Sequence, residues 1–148
     1  MKKAIYFDMD GTIADLYREK NWLKDLRAEK TAPYEKARPL VSVSDLKKAL
    51  NSLREKGYTL GIITWLAKDS SPEYSRAVRV AKIDWLDKYF GLGYFNKVHM
   101  VKYGTPKHQV ATIKNAILFD DNEEIRNAWK LGTAYNEKNI LHTLTKME

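Results

Sequence analysis

The sequence predicts an α/β protein whose mostly parallel β-sheet is covered by helices on both faces. Short apolar runs that suit buried strands alternate with longer segments whose apolar residues recur at helical spacing. Strands and helices that alternate in this way form crossover units, which set neighbouring strands parallel. Acidic or hydroxyl residues follow several of the apolar runs directly, and the carboxyl ends of such strands are where open α/β sheets bind ligands.

Composition narrows the possible classes of function. The 148 residues fit a single domain, 1–148, with a core of its own. The absence of cysteine excludes disulfides, thiolate zinc sites and thiol catalysis, and it fits a cytoplasmic protein. No apolar run suits a signal sequence or a membrane span, so no membrane partner is expected. The net charge of +7 fits anionic partners, although the basic residues are dispersed and much of the excess is expected on solvated helix faces.

The first predicted strand, residues 4–7, runs directly into Asp8-Met9-Asp10-Gly11-Thr12. Two carboxylates spaced by one residue point to opposite faces of an extended chain. The backbone therefore has to turn at Asp10 if both are to meet one metal ion or phosphate, and Gly11 permits such a turn. Taken alone, the stretch fits an Asp-rich turn equally well, and the downstream residues have to decide.

Residues 15–43 predict a small insertion that lies over the end of the sheet, because the stretch is too long for a plain strand-to-helix loop. A short helix is expected in its first part, with Leu23 and Leu26 on its apolar stripe. Pro33 and Pro39 bracket a part that is expected to be irregular. The insertion has three aromatic side chains available, Tyr17, Trp22 and Tyr34, but the sequence identifies no base-stacking pocket among them.

Two amphipathic helices flank the second predicted strand. The first runs from Ser44, as its N-cap, to Gly57. Its apolar stripe is Leu46, Ala49, Leu50 and Leu53. The strand covers residues 58–63 and ends at Thr64-Trp65, and the second helix starts at Ser71-Pro72. The apolar face of that helix, which runs toward Tyr89, is predicted to be Tyr74, Ala77, Val78, Ala81, Trp85 and Leu86.

Two further strands follow, at residues 98–101 and 116–119, and the second of them ends in Asp120-Asp121. A turn at residues 103–107 leads into a short helix between them. The remaining elements are predicted as a helix at 123–131 with Gly132 just past its end, a short strand at 133–135 and a helix at 140–147.

Carboxylates and a hydroxyl converge at the predicted carboxyl edge of the sheet. The first strand ends in Asp8 and Asp10, the second in Thr64, and the fourth in Asp120-Asp121. Carboxylates gathered on one edge repel one another strongly unless a cation is present. Oxygen ligands without histidine or cysteine favour a hard ion, most naturally Mg²⁺, which also accepts a substrate phosphate.

Two lysines are candidates to neutralise the remaining charge of a bound phosphate. Lys107 follows a Gly-Thr-Pro turn at a predicted helix start, so it is expected to project onto the same edge. Lys82 lies within a helix between Val78 and Trp85, where it either extends to the surface or points inward at an anion. Lys107 is the preferred candidate of the two.

The chain resembles the haloacid dehalogenase (HAD) superfamily over nearly its whole length. Four segments carry the resemblance in the expected order: Asp8-Met9-Asp10-Gly11-Thr12, Thr64 after an apolar strand, a downstream lysine, and Asp120-Asp121 after another strand. The resemblance implies a Rossmann-like HAD core with a small cap insertion after the first strand. It also implies Mg²⁺-dependent hydrolysis of a phosphate ester.

Roles for the residues follow from this resemblance. Asp8 would be the nucleophile that forms an aspartyl-phosphate, and Asp10 would protonate the leaving alcohol and then activate water. Mg²⁺ would be held by Asp8, the backbone carbonyl of Asp10, and Asp121 as first choice before Asp120. Thr64 would hydrogen-bond a phosphoryl oxygen. The residues expected to bind the phosphoryl group or the substrate are Lys107, Lys82, Thr12 and Trp65, the last by stacking or gating.

The middle of the chain bears a looser resemblance to the 5'(3')-deoxyribonucleotidases of that superfamily. It rests on Thr64, Pro72, Tyr74, Lys82, Trp85 and Phe90-Gly91. The leading hypothesis is therefore a phosphomonoesterase for a small phosphate ester, with a nucleotide as the specific candidate.

Two alternatives remain. A small insertion leaves an open site, which together with the +7 charge favours polynucleotide ends or other bulky phosphoesters. The second alternative is a HAD-like module that binds or regulates without catalysis. The presence of all the motif residues, Asp8, Asp10, Thr64 and Asp120-Asp121, argues against it. His99, His108 and His142 lack metal-ligand spacing, and His108 is the best placed of them because it adjoins Lys107.

Overall fold

The computed structural model describes residues 2–148. Within them, five strands form one sheet in the order β3-β2-β1-β4-β5. The strands are β1 Lys3–Phe7, β2 Tyr58–Trp65, β3 Lys97–Val101, β4 Ala116–Phe119 and β5 Ala134–Tyr135. Every pairing between neighbours is parallel, and Phe7 of the central strand pairs with Ile62 on one side and Phe119 on the other. The predicted α/β architecture is confirmed, with a sheet that is wholly parallel over the described residues.

Helices cover both faces of the sheet. They are α1 Trp22–Arg27, α2 Ala32–Lys36, α3 Val43–Glu55, α4 Pro72–Phe90, α5 Lys107–Val110, α6 Glu123–Ala128 and α7 Ile140–Met147. Alternate residues of β1 enter two separate cores, as the two-residue period of a strand requires. Ile5 and Phe7 pack in the core that α3, α4 and α7 cover, while Tyr6 packs with Trp129 on the opposite face. None of the helices within residues 2–148 combines the length and apolar character that crossing a membrane requires.

The start of α3 differs from the prediction by two residues. Ser42, not Ser44, is the N-cap, because its hydroxyl accepts the backbone N–H of Asp45 at 3.3 Å. Ser44 lies in the first turn of the helix and is exposed. The predicted apolar stripe is buried in full: Leu46, Ala49, Leu50 and Leu53.

Helix α4 begins as predicted, with the Ser71 hydroxyl accepting the N–H of Tyr74 at 3.1 Å. Its predicted apolar face is buried except for Ala77, which is exposed. Lys82 takes a place on the buried face instead, and its side chain is only 1% exposed. The helix therefore carries a cation into the interior next to the carboxyl edge of the sheet.

Helix α6 is shorter than predicted and ends at Ala128 instead of residue 131. Trp129 leaves the helix in an extended conformation, and its indole Nε1 donates to the Ala116 carbonyl at 3.0 Å. Gly132 is therefore not the residue after the helix end. A Cβ on Gly132 would lie 2.2 Å from the Ala116 carbonyl oxygen, so the glycine lets the chain pass close to β4.

The insertion leaves and rejoins the core through one short antiparallel bridge, between Ala14 and Pro39. The backbone N–H of Asp15 donates to the Arg38 carbonyl at 2.8 Å, which joins the two ends of the insertion. The segment between holds a single helical turn at Leu16–Arg18, followed by α1 and α2. The part between the two prolines was expected to be irregular. That expectation is wrong, because α2 forms there with Pro33 in its first turn, where a missing N–H costs nothing.

Candidate active site

The turn after β1 is built around one carbonyl group. The Met9 carbonyl oxygen accepts the backbone N–H groups of Thr12, Ile13 and Ala14 at 2.9–3.0 Å. Gly11 adopts a φ of +79°, and a Cβ at this position would lie 2.3 Å from Asp121 Oδ2 and 2.6 Å from the Tyr17 ring. The glycine thus allows both the turn and the approach of two site residues. The predicted turn at Asp10 is confirmed.

Lys107 lies between two carboxylates at the end of the sheet. Its Nζ donates to Asp8 Oδ1 at 2.9 Å and to Asp120 Oδ2 at 2.7 Å, and its side chain is only 2% exposed. The short helix α5 positions it, following the turn that the sequence predicts. Burial alone lowers the pKa of Lys107, but the charges of Asp8 and Asp120 outweigh burial and raise it. The lysine is therefore a fixed cation at this edge.

Lys82 reaches the same edge from α4. Its Nζ donates to Asp10 Oδ2 at 2.8 Å, to Thr64 Oγ1 at 2.7 Å and to the Trp65 carbonyl at 2.8 Å. Three short hydrogen bonds satisfy all the donors of a buried ammonium group. The structure therefore brings both candidate lysines to the site, one on each aspartate of the first motif.

Thr12 joins the first motif to the last. Its hydroxyl donates to Asp8 Oδ2 at 3.0 Å and accepts the backbone N–H of Asp121 at 3.1 Å. Thr12 is 1% exposed, so this hydroxyl is fixed inside the site. The geometry makes Thr12 a link between the carboxylates and not an open contact on the surface of the cleft.

Asp8, Asp120 and Asp121 each offer one carboxylate oxygen within 4.8 Å of the others. Adjacent residues were expected to face opposite ways at the end of β4, yet both carboxylates reach the group. The chain leaves the strand at this point, and Asp120 Oδ1 accepts the N–H of Asn122 at 3.0 Å. All three donors are hard oxygen atoms, which suits a hard divalent cation such as Mg²⁺.

The charges of the site support the same conclusion. Four carboxylates, on Asp8, Asp10, Asp120 and Asp121, face the two ammonium groups of the lysines, which leaves −2 when all are ionised. Burial raises the pKa of Asp120 to about 6 and that of Asp121 to about 8, and the charge of Asp8 adds to both shifts. A divalent cation would balance the excess charge that otherwise favours protonation.

Asp10 has a different environment from these three. Burial raises its pKa, while the neighbouring Lys82 ammonium opposes the shift. Its side chain is 18% exposed, and it lines the cleft above the site. Asp10 can therefore carry a proton that faces the space where a substrate would lie.

A cleft of about 680 Å³ opens onto Asp8 and Asp10. The insertion forms one wall through residues that include Tyr17, Trp22 and Tyr34, and the core forms the other. Trp65 lines the cleft, with its indole Nε1 fixed on the Thr105 carbonyl at 2.8 Å. All three aromatic residues that the sequence singled out in the insertion therefore face the site.

Tyr103 is a residue of the cleft that the sequence motifs did not indicate. It follows β3, and its ring lies 4.8 Å from that of Trp65. A position just after a parallel strand is the signal that could have found it. The histidines are elsewhere: His142 is exposed on α7, and His99 lies on the edge strand β3, where burial lowers its pKa. His108 is partly buried on α5 and lies outside the cleft lining.

Comparison with solved structures identifies the architecture. A HAD-family enzyme from Bacteroides thetaiotaomicron, in complex with magnesium and inorganic phosphate, matches with a TM-score of 0.56 at 14% identity, over 92% of this chain and 94% of the other. The chain has the HAD fold. The D,D-heptose 1,7-bisphosphate phosphatase from B. bronchiseptica, complexed with magnesium and phosphate, matches with a TM-score of 0.54 at 13% identity, over 97% and 87%.

The predicted Rossmann-like HAD core is thereby confirmed, and at such low identities the likeness shows the fold. No protein-family model matches the chain, and no curated protein matches it. Within this fold, Asp8 and Asp10 follow the central strand β1, Thr64 lies near the carboxyl end of its neighbour β2, and Asp120-Asp121 follow its other neighbour β4. The nucleotidase subgroup finds no counterpart among these structures.

Proposed function

We propose that the protein is a Mg²⁺-dependent phosphomonoesterase that works through an aspartyl-phosphate on Asp8. One observation carries the proposal. The Asp8 carboxylate lies at the base of the cleft, held on one oxygen by Lys107 and on the other by Thr12, inside a cluster of acids that suits a divalent cation. Such a carboxylate is oriented, and it can approach an anionic phosphate only where positive charge surrounds it.

Asp8, Asp121 and Asp120 are the residues whose side chains would hold Mg²⁺, in addition to the Asp10 carbonyl that the family resemblance assigns. Asp120 also binds Lys107 at 2.7 Å, whereas Asp121 makes no ion pair among the described residues, which favours Asp121 as the ligand. Mg²⁺ would supply charge neutralisation for the transferring phosphoryl group. The HAD-family structures with magnesium and phosphate support this choice of ion.

In the first half-reaction, an oxygen of Asp8 forms a bond to phosphorus while the bond from phosphorus to the ester oxygen breaks. Asp10 gives its proton to the departing oxygen, so an alcohol leaves. The raised pKa of Asp10 keeps that proton available. Lys107, 2.9 Å from Asp8, stabilises the charge on the phosphoryl oxygens.

In the second half-reaction, Asp10 accepts a proton from water, and the water oxygen attacks the phosphorus of the aspartyl-phosphate. The bond between Asp8 and phosphorus breaks, which releases inorganic phosphate, restores the Asp8 carboxylate and leaves Asp10 protonated for the next cycle. Lys82 holds Asp10 at 2.8 Å throughout and fixes Thr64 at 2.7 Å, where the threonine can hydrogen-bond a phosphoryl oxygen. Lys82 thus acts as a positioning residue, and Lys107 acts on the phosphate.

Within this class we propose a nucleotide as the specific substrate, cleaved as a 5'(3')-nucleotidase would cleave it. The cleft volume of about 680 Å³ accommodates a group the size of a nucleoside. The end of a polynucleotide is the second candidate, favoured by the net charge of +7. Binding to single-stranded DNA that weakens steeply with added salt would support the second candidate over the first. A cytoplasmic location remains a prediction.

A phosphatase screen with Mg²⁺ tests the proposal. The substrates are nucleotides, sugar phosphates, aryl phosphates and oligonucleotides phosphorylated at either end, and the Asp8→Asn variant is the control. We expect turnover that requires Mg²⁺ and that falls by about 10³-fold or more in Asp8→Asn. Absence of turnover on every substrate would favour a binding or regulatory HAD-like module, and full activity of Asp8→Asn would refute the nucleophile assignment.

A further inference from the structure

Two aromatic pairs line the cleft above Asp8, and the phosphoryl chemistry uses neither of them. The insertion contributes Tyr17 and Trp22, whose ring centres are 4.9 Å apart in an edge-to-face arrangement. The core contributes Trp65 and Tyr103, whose ring centres are 4.8 Å apart. In each pair the indole is partly buried and the tyrosine is about half exposed, at 49% for Tyr17 and 47% for Tyr103. Each tyrosine ring is thus supported from behind and exposed toward the cleft.

Tyr17 lies directly over the phosphoryl site. Its ring approaches the position of a Gly11 Cβ to within 2.6 Å, a contact that only glycine at residue 11 allows. Burial raises the pKa of Tyr17, and the charges of Asp10, Asp121 and Asp8 raise it further, so the phenol stays neutral beside the acids. A leaving group on a phosphate at Asp8 would therefore lie near this ring.

Tyr103 faces the same space from the core. Tyr17 and Tyr103 line the same cleft although they belong to different walls. Trp65 behind Tyr103 is fixed by its hydrogen bond to Thr105, and Lys107 lies 5.5 Å from the Trp65 ring centre. The core wall thus extends from Tyr103 through Trp65 to the lysine beside Asp8.

The polar groups of the cleft outside the phosphoryl site are partly occupied already. The Glu29 carboxylate accepts both the N–H and the hydroxyl of Ser71 at 2.8 Å. Ser70 donates to the Ala67 carbonyl at 3.0 Å and shares a hydrogen bond with Ser75. Arg27, Lys68 and Asp69 also line the cleft, and a flat ring finds aromatic faces on two sides of it.

We propose that Tyr17 and Tyr103 determine specificity by binding a planar aromatic ring in the leaving group, so that aromatic phosphate esters are preferred over sugar phosphates. The inference rests on the proposed phosphomonoesterase function and names its substrate class. The shared chemistry is a π-face carried by the leaving group, next to the ester oxygen in an aryl ester and beyond the ribose in a nucleotide. A nucleobase and a simple aryl group both present such a face.

Matched primary phosphate esters test the proposal. Benzyl phosphate and cyclohexylmethyl phosphate have similar size and similar alcohol leaving groups, and only one has an aromatic ring. A nucleoside 5'-monophosphate and ribose 5-phosphate form a second pair. We expect kcat/KM to favour the ring-bearing member of each pair by about 10-fold or more, mainly through KM, because stacking acts on binding. The relative rates on benzyl phosphate and the nucleotide distinguish an aryl group from a nucleobase.

Variants assign the preference to the two rings. Tyr17→Ala and Tyr103→Ala should each raise KM for the aromatic ester by about 10-fold and leave KM for the sugar phosphate nearly unchanged. Tyr17→Phe and Tyr103→Phe keep the ring and should keep the preference. Leu92→Ala removes an apolar side chain that is 88% exposed outside the cleft and should have no effect. Equal kcat/KM within both pairs, or a preference that survives both alanine variants, would overturn the proposal.

A binding measurement separates this inference from the proposed function. Benzylphosphonate cannot be hydrolysed, and its binding can be followed by quenching of tryptophan fluorescence, since Trp22 and Trp65 line the cleft. We expect tighter binding than for cyclohexylmethylphosphonate, with the difference lost in Tyr17→Ala. Catalysis that depends on Asp8 without any ring preference refutes the inference alone. Ring-selective binding without turnover refutes the proposed function and leaves the aromatic site standing.

Discussion

At the scale of single residues, the two lysines of the site have separate partners. Lys107 contacts Asp8 and Asp120, and Lys82 contacts Asp10 and Thr64. The sequence placed both as candidates and preferred Lys107, but its helical spacing could not show which way Lys82 points. The direction depends on the Thr64 hydroxyl and the Trp65 carbonyl, which lie across the core from α4.

Replacement of the lysines tests this division. Lys107→Met removes the cation beside Asp8, the proposed nucleophile, so we expect kcat to fall by about 10²–10³-fold. Lys82→Met releases Asp10 and Thr64, and its loss should be smaller on an aryl phosphate, whose leaving group needs little protonation, than on an alkyl phosphate. Steady-state kinetics on both ester types measure the difference, with circular dichroism to check folding. A Lys107→Met variant of full activity beside an inactive Lys82→Met would reverse the assignment.

At the scale of helices and strands, the segments with a long apolar period were the ones that the sequence predicted correctly. Strands β1, β2 and β4 and helices α3, α4 and α7 form where their apolar periods indicate, because burial on a sheet decides them. The insertion and α6 were less predictable. Helices of five or six residues are unstable alone. Their limits therefore depend on tertiary contacts, such as Trp129 turning into the second core.

One contact of this kind joins the insertion to the core. The exposed carboxylate of Glu29 accepts two hydrogen bonds from Ser71 at the start of α4, and the Tyr74 hydroxyl donates to the Lys30 carbonyl at 2.7 Å. The two hydrogen bonds from Ser71, the backbone one first, lower the pKa of Glu29. The stabilisation from the hydrogen bonds between Glu29 and Ser71 is thus complete above the usual carboxyl pKa. It weakens as the pH falls through the lowered pKa of Glu29.

Glu29→Ala removes the hydrogen bonds between Glu29 and Ser71 without changing a core residue. We expect faster hydrogen exchange in residues 15–38, a higher KM and a nearly unchanged melting temperature, since Glu29 is on the surface. Glu35→Ala is the matched control, because Glu35 is an exposed acid of the same insertion whose carboxylate, within residues 2–148, accepts a hydrogen bond from its neighbour Thr31 and none from the core. Unchanged hydrogen exchange in residues 15–38 would show that the hydrogen bonds between Glu29 and Ser71 do not stabilise the insertion.

At the scale of the whole molecule, the acid cluster links stability to pH and to Mg²⁺. The pKa of Asp120 is raised to about 6 and that of Asp121 to about 8, above the ordinary value for an unfolded chain. Between the ordinary aspartate value and these raised values, the folded protein holds more protons than the unfolded chain. The metal-free protein should therefore lose stability as the pH rises toward 8.

Mg²⁺ should reverse this trend, because a cation and a proton compete for the same carboxylates. We expect the increase in melting temperature caused by Mg²⁺ to be small at pH 6 and larger at pH 8. Differential scanning fluorimetry at several pH values measures both effects. In Asp121→Asn the metal-free protein should be less sensitive to pH, and the response to Mg²⁺ should shrink. A Mg²⁺ effect that is equal at both pH values would contradict this account.

The same scale shows what the sequence could establish about the site. The order of strands in the sheet brings Asp8, Thr64 and Asp120 to one edge, and that order follows from general rules for parallel sheets. The cleft walls did not follow from such rules. Tyr103 and Tyr17 line one cleft because the turn after β3 and the insertion both lie at the same edge of the sheet.

The most direct test of the central claim is to trap the phosphorylated Asp8. In Asp10→Asn, an aryl phosphate with a good leaving group should still transfer its phosphoryl group, whereas hydrolysis of the intermediate lacks its base. We predict a burst of one phenolate per protein molecule, and after an acid quench mass spectrometry should locate the phosphoryl group on Asp8. Steady turnover without a burst, or a phosphoryl group on another residue, would contradict the account.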